Sequence, residues 1–184
     1  MQSYTQFQPG GFEQTGNDLD VALEDNGENF FVVQTPQGRR FTRSGNFSLD
    51  PNGRLITAAG YSVLGENGPI VIRGGKVEIA TDGTVRVDGQ EVDRLLVVHF
   101  TPVNGRLPLK KEGNNLFRPQ DAQSVPRITP NPRVRQGYLE ASNVGLVQQM
   151  AELIRITRGF EAYQRAILVA DSSLNMLIQR VGGG

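Results

Sequence analysis

Apolar residues near the C terminus recur at alternating steps of three and four. Between Val144 and Val181, two apolar rows advance by sevens, one starting at Leu146 and the other at Ile156. A repeat of this kind over about five heptads predicts an amphipathic helix with a coiled-coil seam. The predicted seam consists of Leu146, Leu153, Ile156, Phe160, Tyr163, Ile167, Leu174 and Leu177.

The apolar stripe of this helix is narrow. Thr157, Gln164 and Asp171 flank it at sevenfold spacing, whereas a helix that docks on a sheet usually has a broader apolar face. Folding back onto its own domain is the alternative, but we favour packing against another helix. No other segment of the sequence has helical periodicity, so the partner comes from other copies of the chain or from a segment outside this sequence.

The rest of the chain, from Gln2 to Tyr138, has the pattern of short strands. Gly and Pro are frequent and apolar residues recur mostly at period two, which is typical of half-buried strands joined by tight turns. The clearest hairpin joins residues 46–49 to 54–57, and a second joins 76–79 to 85–87. Residues 95–100 form the most continuous apolar run, which predicts a central strand.

These patterns divide the chain into three parts. Residues 1–16 are polar and aperiodic and are predicted to form an extended arm, residues 17–140 a β domain, and residues 141–184 the C-terminal helix. Within the β domain, the proline-rich segment 114–132 is predicted to be irregular. The predicted fold class is mainly β: a compact, turn-rich antiparallel β domain followed by one long C-terminal α-helix of the coiled-coil type.

Charge and composition argue against several classes of function. Lysine plus arginine and aspartate plus glutamate number 19 each, so binding to nucleic acid or to an acidic membrane has no electrostatic support. The absence of cysteine excludes disulfides and thiolate metal sites. No apolar run approaches the roughly 18 residues of a membrane span, and the residues after Met1 do not open as a signal peptide.

We predict no catalytic, cofactor or metal site. His99 is the only histidine and lies in an apolar strand, where a residue on the wetter face is a simpler interpretation than a general base. Asp50-Pro-Asn-Gly53 resembles the opening of a calcium loop, but the ligand at the fifth position and the closing glutamate are missing. A hairpin turn explains the same residues.

Five short motifs follow one another along the chain from Thr15 onward. At the C-terminal end these are Gly137-Tyr-Leu-Glu-Ala-Ser-Asn-Val144 and, in the helix, Arg158-Gly-Phe-Glu161. Upstream they are Thr15-Gly-Asn-Asp-Leu-Asp-Val-Ala-Leu23, Phe41-Thr-Arg-Ser-Gly-Asn-Phe47 and Asp50-Pro-Asn-Gly-Arg-Leu55. Together these motifs resemble those of bacterial flagellar rod and hook proteins. The resemblance covers nearly all of the chain from Thr15 onward, and the motifs occur in the order typical of that family.

The resemblance implies a structural subunit of the flagellar basal-body rod, with no enzymatic activity, cofactor, small-molecule substrate or nucleic-acid partner. Its expected partners are other copies of itself and neighbouring rod proteins, which together form the axial drive shaft that carries torque from motor to hook. The expected location is the periplasmic rod of the basal body, after export without a cleaved signal peptide. The β domain would be of the hook and rod D1 type.

The family also has an N-terminal helical segment that pairs with the C-terminal helix, and we expect it to precede this sequence in the native protein. Without that segment, the helix would be open to pairing with other copies in a coiled-coil oligomer. The roughly 120 residues between Thr15 and Val134 leave room for one β domain only, which favours a rod subunit over a hook protein. The stretch from Gly60 to Ile70 resembles the proximal rod type more than the distal type.

Two other functions are consistent with a β domain that carries a helical tail. One is a carbohydrate-binding or hydrolytic module acting on peptidoglycan, which requires a groove with convergent carboxylates or stacked aromatics, yet the chain has no tryptophan and four tyrosines. The other is an adaptor that trimerises through its coiled coil. A closed oligomer, instead of open polymerisation, would identify the adaptor.

Overall fold

The computed structural model describes residues 10–121, 123–141 and 154–164. The chain divides into two compact units, Met1–Asn143 and Val144–Gly184. In the second unit, residues 154–164 form an α-helix, α1. No helix in the described part of the chain has the length and apolarity to cross a membrane.

The first unit is built from short antiparallel strands. Those described are β1 (Phe12–Gln14), β2 (Val21–Leu23), β3 (Asn29–Thr35), β4 (Gly38–Thr42), β5 (Phe47–Leu49), β6 (Leu55–Thr57), β7 (Ser62–Gly65), β8 (Gly68–Pro69), β9 (Val77–Ile79), β10 (Thr84–Val87), β11 (Gln90–Arg94), β12 (Val97–His99), β13 (Leu109–Gly113), β14 (Leu116–Pro119), β15 (Arg127–Ile128), β16 (Val134–Gln136) and β17 (Tyr138–Glu140).

Strand β3 is the centre of the largest sheet. The sheet runs in the order β13-β14-β4-β3-β7-β6-β5, and β12 also pairs with β3. Phe31 and Val33 belong to one apolar cluster and Phe30 and Val32 to another. Since successive strand residues point to opposite faces, β3 has a core on each side, which explains its continuous apolar run.

The two cores differ in composition. The larger is mostly aliphatic and includes residues from β2, β9, β10 and β16, so the smaller sheets cover one face of the main sheet. The smaller is aromatic, with Phe41 and Phe100 in edge-to-face contact at 4.9 Å between ring centroids. Edge-to-face contacts add about 0.5–1.5 kcal/mol each to the burial of the rings.

The predicted hairpins are confirmed, as β5–β6 and β9–β10. The apolar run 95–100 is strand only over residues 97–99, but this strand, β12, pairs with β3 and with β15 and is thus an inner strand as predicted. The prediction that residues 114–132 are irregular is wrong, because β14 and β15 lie there. Pro119 ends β14, where a missing N–H leaves the ladder intact.

Candidate assembly surfaces

The described part of the predicted seam is an exposed apolar stripe. Ile156, Phe160 and Tyr163 lie on α1 at positions i, i+4 and i+7, which share one helix face, and they are 65%, 65% and 75% exposed. The other residues of α1 are exposed as well, except Gly159, and large apolar side chains that share one face of such a helix are typical of surfaces that bind another protein. The other seam residues lie outside the described residues: Leu146, Leu153, Ile167, Leu174 and Leu177.

A two-stranded ribbon joins the two ends of the β domain. Strands β1 and β17 pair antiparallel with Phe12 opposite Glu140, although the sequence predicted only an extended arm around Phe12. The ribbon extends one step further, because the N–H of Ala141 donates to the carbonyl of Gly11 at 2.8 Å. The chain therefore enters and leaves this domain at adjacent points.

Arg43 fastens the ribbon to the rest of the domain. Its Nε donates to Glu140 Oε2 at 2.7 Å and its Nη1 to Asp25 Oδ1 at 2.8 Å. Nη1 also donates to the carbonyl of Asn29 at 2.8 Å. The side chains of Arg43, Asp25 and Glu140 are only 11%, 13% and 15% exposed. We call these three residues the Arg43 cluster.

Backbone N–H groups complete the hydrogen bonding of this cluster. Asp25 accepts from the N–H groups of Gly27, Glu28 and Asn29 at 3.1, 3.1 and 2.6 Å, and Glu140 Oε1 accepts from Gly10 at 3.2 Å. An intact buried ion pair contributes little net free energy to folding. Removing one partner leaves an uncompensated buried charge, and the loss of stability is then much larger. The cluster therefore fixes the position of the ribbon.

A bend at Gly137 passes the C-terminal strand from β2 to β1. Strand β16 pairs with β2 and β17 pairs with β1, with Gly137 between them at φ 76°. This left-handed conformation favours glycine. Nearby, the guanidinium of Arg135 lies 4.6 Å from the ring centroid of Tyr138 and 5.7 Å from that of Phe12, so a cation–π contact spans the bend.

The turn that resembled a calcium loop uses its carboxylate for its own hydrogen bonds. Asp50 Oδ1 accepts from the N–H groups of Asn52 and Arg54 at 2.8 Å each, and Oδ2 accepts from Arg54 Nε at 2.8 Å. These bonds, that from the Arg54 backbone first, hold the pKa of Asp50 below its ordinary value of 3.8. No group of three potential metal-binding side chains occurs in the described ranges.

His99 lies at the end of β12 and is half-buried, with its Nδ1 3.8 Å from Glu28 Oε2. Its neighbours Val97 and Val98 are buried. The polar contact and the partial exposure agree with the interpretation of His99 as an ordinary strand residue.

Comparison with known proteins identifies the family. Residues 26–87 match the flagellar hook protein FlgE/F/G D1 domain, and residues 135–180 match the C-terminal domain of the flagellar basal-body rod FlgEFG proteins. The flagellar basal-body rod protein FlgF of Caulobacter vibrioides is 33% identical over 176 residues, which cover 96% of this chain and 71% of the relative. The chain belongs to the flagellar basal-body rod proteins.

Other rod proteins show similar identity. FlgF of Rhizobium meliloti is 32% identical over 95% of this chain and 71% of its own length. FlgG of Bacillus subtilis is 33% identical over 90% of this chain and 66% of its own length. The chain is thus a structural, non-enzymatic rod protein of the FlgF or FlgG type, located in the flagellar basal body, and the carbohydrate-module alternative is not supported.

The Arg43 cluster joins the two matched family domains of this rod protein. Asp25 lies just before the first match, Arg43 lies within it, and Glu140 lies within the second match. Arg43 and Glu140 both occur in motifs that carry the family resemblance, yet no sequence pattern indicates that their side chains meet. Burial of charged residues outside a recognisable helix or strand pattern leaves no periodic signal, and this is why sequence reasoning missed the cluster.

Proposed function

We propose that this rod protein polymerises into the axial drive shaft through the seam of its C-terminal helix. The supporting observation is the exposure of Ile156, Phe160 and Tyr163 on one face of α1. Burying a side chain of this size against a partner is worth about 1.5–3 kcal/mol. Five further seam residues continue the same repeat in the sequence, so their burial would add to this stabilisation.

The ribbon supports a specific partner for the seam. Because Gly11 and Ala141 are hydrogen-bonded neighbours, the segment that precedes residue 10 and the segment that follows residue 141 start side by side. An N-terminal helical segment in the native protein would pair with the C-terminal helix without a long connection. Packing of such helix pairs from successive copies, through contacts that do not close into a ring, produces an axial filament.

Torque would then pass between helix and β domain through the ribbon. The only covalent path from the β domain into the C-terminal unit runs through β17, and the Arg43 cluster holds β17 by a buried ion pair. Many modest contacts in parallel would share the load along the rod.

Replacing Phe160 and Ile167 together with aspartate tests the seam. The charges would oppose burial of the stripe, so we expect loss of rods and of motility, while the β domain gives an unchanged circular dichroism spectrum. Gln164→Asp is the matched control, since Gln164 is an exposed flanking position of the same helix. Normal rods in the double variant would refute the seam assignment.

We further propose the proximal type, FlgF, on the likeness of residues 60–70 to that type. The identities of the FlgF and FlgG relatives overlap, so complementation decides: motility should return in cells that lack FlgF and not in cells that lack FlgG. The opposite pattern would assign the distal type.

From the family resemblance we also propose that the rod lies in the periplasm and that the native subunit keeps its N terminus on export. Intact-mass measurement of subunits from isolated rods checks whether the N terminus is kept.

A further inference from the structure

Lysine and arginine are concentrated at one end of the largest sheet. Residues 38–42 and 101–120, which contain β4, β13 and β14, include six lysines and arginines but a single acidic residue, Glu112. This region has a net charge of +5 in a chain of zero net charge, so the remaining residues carry −5. We call these six residues the cationic edge: Arg39, Arg40, Arg106, Lys110, Lys111 and Arg118.

Three of these cations stand in one row across neighbouring strands. Lys110 is opposite Arg118, and the register of β14 on β4 places Arg118 opposite Arg40. Like charges that face each other across strands are destabilising. Glu112 offsets part of this repulsion through ion pairs with Arg40 and, at 3.7 Å, with Arg118, and Arg40 holds the pKa of Glu112 below its ordinary value of 4.5.

Protection of an exposed sheet edge explains only part of this arrangement. Lysines on an edge strand prevent unwanted strand pairing, which accounts for Lys110 and Lys111 on β13. Strands β14 and β4 are inner strands of the sheet, so Arg118 and Arg40 have no such role. Within the described residues, neither Lys110 nor Lys111 forms an ion pair. The cationic row therefore has unmatched charge available to a partner.

The same chain has the complementary charge elsewhere. Residues 10–38 contain six acidic residues and no lysine or arginine. Of these, Glu13, Asp18 and Glu24 are exposed, and we call them the acidic segment. Asp20, between them, forms a bridge with Asn46 just before β5, and Asp25, next to Glu24, pairs with Arg43 just after β4. The acidic segment therefore lies near the connection between β4 and β5, whereas the lysines of the other charged region lie on the edge strand β13.

We propose that the cationic edge of one copy docks on the acidic segment of the next copy in the rod. The inference rests on the proposed function, because it requires copies packed side by side. A contact between two different surfaces of the same chain repeats without closing, as an axial polymer needs. Charge complementarity at such a contact sets register and association rate, and salt weakens it.

Zero-length crosslinking tests the contact directly. A carbodiimide couples a lysine amine to a carboxylate that touches it, so isolated rods of the full-length protein should yield covalent dimers that join Lys110 or Lys111 to Glu13, Asp18 or Glu24. The variant with Lys110→Arg and Lys111→Arg keeps the charge but removes the reactive amines, and it should lose these dimers. Absence of dimers, or dimers through other carboxylates, would overturn the proposal.

Charge reversal supplies an independent test. Lys110→Glu with Arg118→Glu should slow association of copies at least about tenfold, because attraction becomes repulsion. Adding Glu13→Lys and Glu24→Lys restores opposite charges and should restore rods and motility. Arg73→Glu is the matched control, since Arg73 is exposed outside the cationic edge, and circular dichroism checks that each variant folds.

The helical seam and the contact through the cationic edge can be tested separately. If the Phe160 and Ile167 aspartate variant loses its rods while the variant with Lys110→Glu and Arg118→Glu assembles normally, the helical seam is supported and the contact between the cationic edge and the acidic segment is wrong. A second outcome concerns a variant with Lys110→Glu and Arg118→Glu that folds but forms no rods. If Glu13→Lys and Glu24→Lys do not restore its rods, the cationic edge binds a different partner.

Discussion

At the residue scale, Arg43 is the side chain whose loss should harm the β domain most. In Arg43→Met, the carboxylates of Asp25 and Glu140 would stay largely buried without their cation. We expect the free energy of unfolding to fall by about 3–5 kcal/mol, as measured by urea denaturation followed by circular dichroism. The control Arg73→Met removes an exposed arginine and should cost about 0.5 kcal/mol or less. Equal losses in the two variants would contradict the role of the cluster.

Asp50 gives a prediction about acid stability. Because hydrogen bonds in the folded turn lower the pKa of Asp50 below 3.8, its ionised form stabilises the fold. This contribution is complete above the unfolded pKa and is lost as pH falls through the lowered folded pKa. Asp50→Asn should therefore make unfolding free energy less steeply dependent on pH below about pH 4, as followed by urea midpoints. An unchanged slope would mean that Asp50 does not contribute to acid unfolding.

At the scale of elements, Gly45 allows β2 to pack against the segment between β4 and β5. The N–H of Val21 donates to the carbonyl of Gly45 at 3.0 Å, and a Cβ at position 45 would lie 1.7 Å from the Val21 carbonyl oxygen. Gly45→Ala forces these backbones apart and should destabilise the domain by about 3 kcal/mol, measured by thermal unfolding. Gly11→Ala is the control, since a Cβ there meets nothing within 4 Å. Similar melting of the two variants would contradict this close approach.

The elements that the sequence predicted well are those with a local signal. The hairpin across Asp50 to Gly53 has its turn chemistry and its alternation within a few residues, and it forms as β5–β6. Strand β14 has no such signal, because the prolines at its end and beyond it suggest irregular structure. The burial of Leu116 and Phe117 depends on pairing with the distant β4. The β1–β17 ribbon likewise joins residues more than 120 positions apart, which no local pattern indicates.

At the scale of the whole molecule, the family could be predicted from ordered motifs, and comparison with known proteins confirmed it. The two proposed assembly surfaces were only partly accessible from the sequence. Heptad spacing indicates the seam because helix periodicity is local. The cationic edge depends on which strands become neighbours, so its charge row appeared only with the register of β4, β14 and β13.

We propose above that assembly buries the helical seam. The chain contains no cysteine, so Phe160→Cys introduces a single reporter thiol into these 184 residues, and its rate of maleimide labelling measures exposure. We predict fast labelling in the unassembled protein and labelling at least about tenfold slower in isolated rods, since a buried thiol is inaccessible. Arg73→Cys, on the β domain, should show a smaller change. Equal labelling rates of Phe160→Cys before and after assembly would show that assembly does not bury the seam.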